Sequence, residues 1–383
     1  MPGFGEDFGQ KVDLTANIRG ILRNYPEGTA ILKELVQNAD DAGARKVSVC
    51  LDGRTHSTTG LASPDLAQFQ GPALLAYNDS VFTEDDFRSI QRIGDSLKKL
   101  EEDQTKIGRF GIGFNAVYHW TDLPSFVSAK KLVMLDPQAR FLPDVNPTNP
   151  GVMVNWVDKP DVLTRFPDQF APYHFSGSPI DWTRPFNGTL FRLPLRTAAQ
   201  AETSTLSKRA LGTEDASVIL DSLQAEASAM LLFLQNVESI EITYWEAGAP
   251  KPTRRFHCEL ANVSSSLRET RAFVKNKSKH EQAIKQKKEF PADYSLRINC
   301  SVGPPGGVTY VEEWEVCNQL GGLGASLIAG LPINSLLRLV PWGGLAACVS
   351  TENPNNARQS GLAYCFLPLP VQTGLPVMVC ECV

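Results

Sequence analysis

Three polar side chains share one strip of a predicted helix. Segment 31–39 carries apolar residues at helical spacing, and Gly43 follows it as a stop signal. Glu34, Asn38 and Asp41 then lie on one side of this helix. A carboxylate can polarise a water, and a neutral amide oxygen suits a magnesium ion shared with phosphates. A solvated helix face explains such a triplet equally well, so both interpretations stay open at this point.

A second segment has the composition of a phosphate-binding loop. Gly108, Gly111 and Gly113 lie within the run 106–115, directly before apolar residues of helical type. Glycine lets backbone amides approach phosphate oxygens, and a helix N-terminus adds a favourable partial charge. The spacing is neither that of the P-loop nor, strictly, that of the dinucleotide fingerprint. A tight turn is the alternative interpretation.

The third feature is a Gly188-Thr189 pair at the start of a predicted strand. A threonine hydroxyl there can bond the edge of a ligand, and the glycine permits close approach. Another predicted strand, 73–77, leads directly into Asn78 and Asp79. Neither feature indicates a function when it stands alone.

The elements that position these residues follow from hydrophobic periodicity and from capping signals. We predict helices at 18–22, at 31–39, from Thr83 through Ile93 and up to about Asn236, a hairpin at Phe126–Leu135, and strands at Lys46–Leu51, Ala73–Tyr77, Gly188–Leu195 and Ile240–Tyr244. Segment 94–107 is polar without an apolar period and is predicted to be mobile, and 136–187 is predicted to be irregular.

The order of these elements predicts an α/β (α+β) fold, a two-layer sandwich in which one mixed sheet carries helices on one face. A composition change near residue 200 suggests two domains, 1–200 and 201–383, the second a smaller α/β region. A chain of 383 residues is long enough for two such units.

Composition and charge narrow the class of protein. The net charge of -5 supplies no positive field for a polyanion, so we expect no nucleic-acid partner. No stretch approaches the roughly 20 apolar residues that span a bilayer, which predicts a cytoplasmic protein without a membrane partner. The eight cysteines form no repeated C-x-x-C pair, so buried reduced thiols are expected. The basic stretch 268–288 is interpreted as solvated, with a partner contact as the alternative.

Taken in order, these motifs resemble the nucleotide-binding boxes of the GHKL ATPase superfamily, which includes the ninety-kilodalton heat-shock chaperones, the ATP-binding polypeptide of gyrase, MutL and histidine kinases. The resemblance implies a Bergerat-type pocket for ATP or ADP with Mg²⁺, in which segment 94–107 is the lid. It implies that Glu34 is the water-activating base, that Asn38 is the magnesium ligand, that Asp41 is a polar pocket wall, that Gly108, Phe110, Gly111 and Gly113 surround the phosphates, and that Thr189 lies near the adenine.

One box departs from the superfamily pattern. The usual D-x-G-x-G is replaced by Tyr77-Asn78-Asp79-Ser80-Val81-Phe82, which has no glycine. Asp79 is the predicted partner of the adenine amino group, and Asn78 is the alternative if the register shifts by one residue.

The chain is most similar to the sacsin-like members of this superfamily. The similar segments are 8–10, 21–28, 32–42, 77–79, 107–115, 339–344, 364–370 and 373–377. After Val377 the chain departs from the sacsin-like pattern, so 201–383 is predicted to be an incomplete sacsin-type middle region. The resemblance implies a chaperone-like ATPase whose further partners are client proteins or co-chaperones.

The alternative function is a nucleotide-responsive scaffold that binds without useful turnover. It follows from the second half of the chain, in which no arginine is identified that would complete the site. Arg109, inside the glycine loop, is the basic candidate near phosphate, and a surface arginine is its other interpretation. A globular interaction protein with fortuitous motifs is the third possibility.

Overall fold

The computed structural model describes residues 13–24, 27–91, 113–175, 180–275, 288–321, 342–353 and 361–382, together with Gln282 and Gln286. The α-helices are α1 (Leu14–Asn24), α2 (Thr29–Asp41), α3 (Glu84–Ile90), α4 (Asp161–Arg165), α5 (Pro167–Phe170), α6 (Ala198–Thr203), α7 (Thr213–Met230) and α8 (Ser265–Arg271). Shorter 3-10 helices are Pro64–Phe69, Gly113–His119 and Ala272–Lys275.

The strands belong to one mixed sheet. They are β1 (Lys46–Asp52), β2 (Ala73–Asn78), β3 (Ser125–Ala129), β4 (Lys131–Leu135), β5 (Gly151–Asn155), β6 (Phe186–Pro194), β7 (Ser239–Trp245), β8 (Thr253–Leu260), β9 (Phe290–Pro291), β10 (Tyr294–Val302), β11 (Val308–Leu320), β12 (Trp342–Thr351), β13 (Leu362–Cys365), β14 (Leu367–Gln372) and β15 (Met378–Cys382). Their order is β14-β13-β15-β12-β11-β10-β8-β7-β1-β2-β6-β3-β4-β5, and β9 pairs with β11.

Strand β1 lies at the junction between the early and late parts of the chain. It pairs antiparallel with β2 and parallel with β7. Apart from Lys46, the residues of β1 are buried. Val47 and Val49 pack into one hydrophobic cluster, and Cys50 packs into another on the opposite face of the sheet. The predicted domain boundary at residue 200 falls between β1 and its parallel partner β7. That boundary stays a prediction.

Both faces of the sheet around β1 are covered. The helices α1, α2 and α7 pack on one face, where Ile18, Ile31 and Leu220 join the larger cluster. The opposite face is covered by 3-10 helix, α5 and loop residues such as Phe69 and Phe170. A mixed sheet with helices is therefore confirmed. The finer description as a two-layer sandwich stays a prediction.

The local stop and start signals are confirmed. Gly43 has a φ of 80° and its amide donates to Asp40 O at 3.0 Å, which ends α2 in a left-handed turn. Thr83 and Asp86 form a reciprocal capping box at the start of α3. The predicted end of that helix at Ile93 lies outside the described residues, as does segment 94–107.

Several elements differ from the sequence prediction. Segment 136–187 contains β5, α4 and α5, although it was predicted to be irregular. Helix α7 ends at Met230, six residues before the expected Asn236, and the chain there turns towards α2. Strands β8–β15 are not among the predicted elements. Each of them pairs antiparallel with a neighbour, and β13 also pairs parallel with β15. The prediction of buried thiols is confirmed for Cys50, Cys258, Cys300 and Cys380, which are buried and form no disulfide, whereas Cys317, Cys348 and Cys365 are exposed.

Candidate functional site

The Glu34 side chain lies directly against the end of the predicted glycine loop. Gly113 is the first residue of the 3-10 helix Gly113–His119, and a Cβ added there would overlap the Glu34 carboxylate. With the Glu34 carboxylate in this position, only a residue without a side chain fits here. Helix α2 and the loop motif therefore meet at these two residues, as the sequence motifs require.

Burial changes the chemistry of Glu34. Desolvation, and secondly the nearby charge of Asp41, raise the pKa of the Glu34 carboxyl from 4.5 to about 7. A carboxyl with a pKa near neutrality is well matched to accept and release a proton at neutral pH. Perturbed carboxyls of this kind concentrate at functional sites, although structural networks also produce them.

The rest of the α2 strip differs in exposure. Asn38 is exposed, and Asp41 is half-buried and close enough to Glu34 to influence its charge. The strip therefore runs from a half-buried carboxyl to an exposed amide and a second carboxyl. Among the described residues no group of three or more His, Cys, Asp or Glu could hold a metal ion by itself.

Asn78 and Asp79 have different environments at the end of β2. Asn78 is buried and shares its face of the sheet with Leu74 and Ala76, which pack in the cluster that includes α2. Its side-chain Oδ1 accepts from the amide of Ser80 at 3.0 Å. The sheet thus places Asn78 on the same side as the Glu34 helix.

Asp79 is instead bonded to the loop between α2 and β1. Its Oδ1 accepts from the amides of Arg45 at 2.8 Å and Lys46 at 3.0 Å. These bonds fix the carboxylate on the backbone that follows α2. These hydrogen bonds could not be predicted from the sequence, because donor and acceptor are more than thirty residues apart in the chain.

Thr189 lies beside Asn78 on the neighbouring strand β6. It is fully buried, and its hydroxyl donates to Ser80 O at 2.8 Å and lies 2.9 Å from Ser128 Oγ. Gly188 precedes it with a φ of 149°, and a Cβ there would lie 2.6 Å from the Tyr77 ring and 2.8 Å from Asn78 O. The close approach that Gly188 permits is therefore to β2 itself.

A buried arginine fixes the far end of the 3-10 helix Gly113–His119. Arg196 donates to Tyr118 O at 2.6 Å and to His119 O at 2.9 Å. It also pairs with Asp122 at 2.7 Å, and the two side chains are 0% and 1% exposed. Arg196 is not among the residues that the sequence predicts, because an isolated Arg after a strand carries no local signal. Gly108, Phe110 and Gly111 lie outside the described residues.

No helix in the described part of the chain is both long and apolar enough to cross a bilayer. The family model described as "Sacsin domain" matches residues 11–257, more than half of the chain. Human sacsin is 35% identical over 386 residues, which cover 98% of this chain and 8% of that protein. The chain thus spans a small part of the relative that it matches.

Among solved structures, one described as the N-terminal domain of a DNA repair protein aligns with 79% of this chain and 70% of its own, at 10% identity and a TM-score of 0.32. So low a score supports no inference about fold or function. The family match and the identity to human sacsin agree with each other and with the motifs of α2 and β2. The chain belongs to the sacsin family.

Proposed function

We propose that this chain is an ATP- and Mg²⁺-binding module of the GHKL type that works as a chaperone-like ATPase. The observation that carries the proposal is the half-buried Glu34 carboxylate, with its pKa raised to about 7, lying against Gly113 at the end of a glycine-rich loop. This combination of a base and a glycine contact suits water activation beside a phosphate.

In this proposal each motif residue has one task. Glu34 accepts a proton from the attacking water, and the adjacent Asp41 lines the pocket. Asn38, exposed on the same strip, would hold magnesium through its side-chain oxygen, and the ion when bound would neutralise phosphate charge. Gly108, Phe110, Gly111 and Gly113 would surround the phosphates. Thr189 would lie near the adenine, on the sheet beneath α2.

The adenine contact has two candidates. Asp79 is the residue that the motif order suggests, but one of its oxygens already accepts two backbone amides. Asn78 faces the α2 side of the sheet beside Thr189. An amide in this place would donate to a ring nitrogen or accept from the amino group, whereas a carboxylate would only accept.

Calorimetric titration with Mg-ATP tests the binding proposal. We expect Asn38→Ala to abolish most of the magnesium dependence of binding. Replacing the residue that contacts the adenine should weaken ATP binding by roughly 1.5 to 3 kcal/mol if that residue is charged. Asp79→Asn and Asn78→Ala are compared for this purpose, and Arg165→Met on the exposed surface of α4 is the control. If the parent chain does not bind Mg-ATP, the proposed function is wrong. If Asn78→Ala alone weakens ATP, the register is shifted by one residue.

The alternative function, a nucleotide-responsive scaffold without useful turnover, is favoured by the arginines of the later region. The six that the structure describes after residue 200 are all bonded within the chain. They are Arg209 with Glu27, Arg254 with Glu241, Arg255 with Asp221, Arg268 with Glu238, Arg271 with the carbonyls of Leu231 and Val237, and Arg297 with Glu313. Each of these six arginines would have to leave a partner to reach phosphate. Single-turnover hydrolysis separates the two functions.

The proposed partners of the module are client proteins or co-chaperones. This part of the proposal is supported by membership of the sacsin family and by the resemblance of the motifs to chaperone ATPases. Suppression of the aggregation of an unfolded test protein, measured with and without Mg-ATP, examines it. A nucleotide-independent result would favour the scaffold.

A further inference from the structure

Helix α2 has three different faces. Apolar residues such as Leu32 and Leu35 pack against the sheet, and Glu34 points towards Gly113. Lys33 and Asp40 form a third face, because residues seven apart in a helix lie on nearly the same side. This third face, which we call the anchor face, lies about 100° around the helix from Glu34.

Lys33 bonds the anchor face to two later elements. Its Nζ lies 2.5 Å from Glu226 Oε2 on α7 and donates to Pro368 O on β14 at 2.8 Å. The Lys33 side chain is 14% exposed and that of Glu226 is 30% exposed, so solvent screens this pair less than an open surface pair. One side chain thus joins α2, α7 and the edge strand of the sheet.

Asp40 bonds the other end of the anchor face to the segment between α7 and β7. Its carboxylate is fully buried and accepts from three successive amides, those of Gln235 at 3.1 Å, Asn236 at 2.7 Å and Val237 at 2.8 Å. The Asn236 side chain in return donates to Asp40 O at 2.8 Å. Charge-assisted bonds of this kind compensate a buried carboxylate and are directional.

We infer that Lys33 and Asp40 are positioning residues that fix the rotation of α2 and thereby hold the Glu34 carboxylate against Gly113. Rotation of a helix by about 20° moves a side-chain end some 5 to 6 Å from the axis by roughly 2 Å. Misplacement of a reacting group by about 1 Å can cost 10²-fold in rate. The region after residue 200 therefore sets the geometry of a site built from earlier residues. The inference rests on the proposed role of Glu34 as the base.

Single-turnover hydrolysis and Mg-ATP affinity, measured on the same variants, test the effect on Glu34. Lys33→Met should slow hydrolysis about tenfold or more while the Kd stays within about threefold, since the nucleotide contacts remain. Lys33→Arg should retain most of the rate. Adding Glu226→Gln to Lys33→Met should cause little further loss, because both changes remove one shared contact.

A charge swap excludes direct phosphate contact by Lys33. The double variant Lys33→Glu with Glu226→Lys should recover part of the rate if the ion pair between α2 and α7 is what matters. No recovery, together with a weakened Kd in Lys33→Met, would show that Lys33 binds nucleotide and would overturn the inference. Arg165→Met, which removes the exposed ion pair with Asp161 on α4, is the matched control and should change neither quantity.

Hydrogen exchange without nucleotide tests the anchors independently of catalysis. Lys33→Met should speed amide exchange in both 29–41 and 362–372, and Asp40→Asn should do so in 29–41 and 235–237, while 84–90 stays unchanged. Unchanged protection of 29–41 in the Lys33 and Glu226 variants overturns the inference even if Asp40→Asn fails to fold. If the parent chain neither binds nor hydrolyses Mg-ATP while the Lys33 and Asp40 variants show this faster exchange, the proposed function is overturned and the anchors stay established.

Discussion

At the scale of single residues, Glu34 decides whether the site turns nucleotide over. Glu34→Ala should leave Mg-ATP affinity within a few-fold and slow single-turnover hydrolysis by roughly 10² or more, as the loss of a general base implies. The parent rate should also rise as pH increases through about 7, because the raised pKa keeps the base protonated below it. The measurement uses enzyme in excess. Equal rates for parent and variant, with the parent clearly above background, would remove Glu34 from the mechanism.

The same carboxyl links stability to pH. Its pKa is raised from 4.5 to about 7 in the folded chain, so the folded state holds the proton more tightly and loses stability as pH rises between these values. Glu34→Gln cannot ionise. At pH 8 the free energy of unfolding of this variant should be about 1 to 3 kcal/mol higher than that of the parent. This range follows from about 1.4 kcal/mol per pKa unit, reduced because the Glu34 side chain is partly exposed to solvent. Urea unfolding at pH 8 and pH 5 measures this difference, which should shrink at pH 5. A less stable variant at pH 8 would contradict the burial argument.

At the scale of elements, the contact between α2 and the 3-10 helix Gly113–His119 leaves no room for an additional atom while the Glu34 carboxylate keeps its position. Gly113→Ala would place a Cβ in the space of the Glu34 carboxylate. Because this Cβ meets the far end of a flexible side chain, we expect the carboxylate to be displaced, which slows hydrolysis, with a loss of at most about 1 to 3 kcal/mol in free energy of unfolding, the range for an overpacked site. Gly20→Ala in α1 is the matched control, since nothing lies within 4 Å of its added Cβ, and it should be neutral or stabilising by up to about 1 kcal/mol. Urea unfolding and single-turnover hydrolysis compare the two variants, and equal hydrolysis rates would show that Glu34 and Gly113 are not in contact as described.

At the scale of the whole molecule, the parallel pairing of β1 with β7 joins the early and late parts of the chain. A fragment of residues 1–200 would expose the β1 edge and the α2 surface that faces α7, and would leave the buried Asp40 carboxylate without its three amides. We expect this fragment to aggregate or to unfold without cooperativity, whereas 1–262, which retains α7, β7 and β8, should fold. Size-exclusion chromatography and thermal unfolding compare the two. A soluble fragment 1–200 with a cooperative transition would support the domain boundary predicted at that residue.

The sequence by itself determined the local features of this protein and its family. The apolar stripe of α2, its end at Gly43, the cap at Thr83 and the early strands follow from periodicity and turn chemistry between near neighbours in the chain. Motif order sufficed for membership of the sacsin family, because such motifs are read along the chain. It also assigned Glu34 and Gly113 to one site, and the structure brings these two residues into contact.

Only the tertiary structure decided what depends on partners distant in the chain. Periodicity within β1 cannot show that it pairs with β7, almost two hundred residues later, and Asp40 next to the motif residue Asp41 gives no sign that it is buried under three amides. Likewise the sequence does not distinguish Asn78 from Asp79 as the adenine contact. In the structure, strand alternation places Asn78 on the α2 side of the sheet, whereas Asp79 accepts from the amides of Arg45 and Lys46. The physical reason is the same in each case: side-chain direction and burial are set by packing between elements, for which a single sequence carries no local signal.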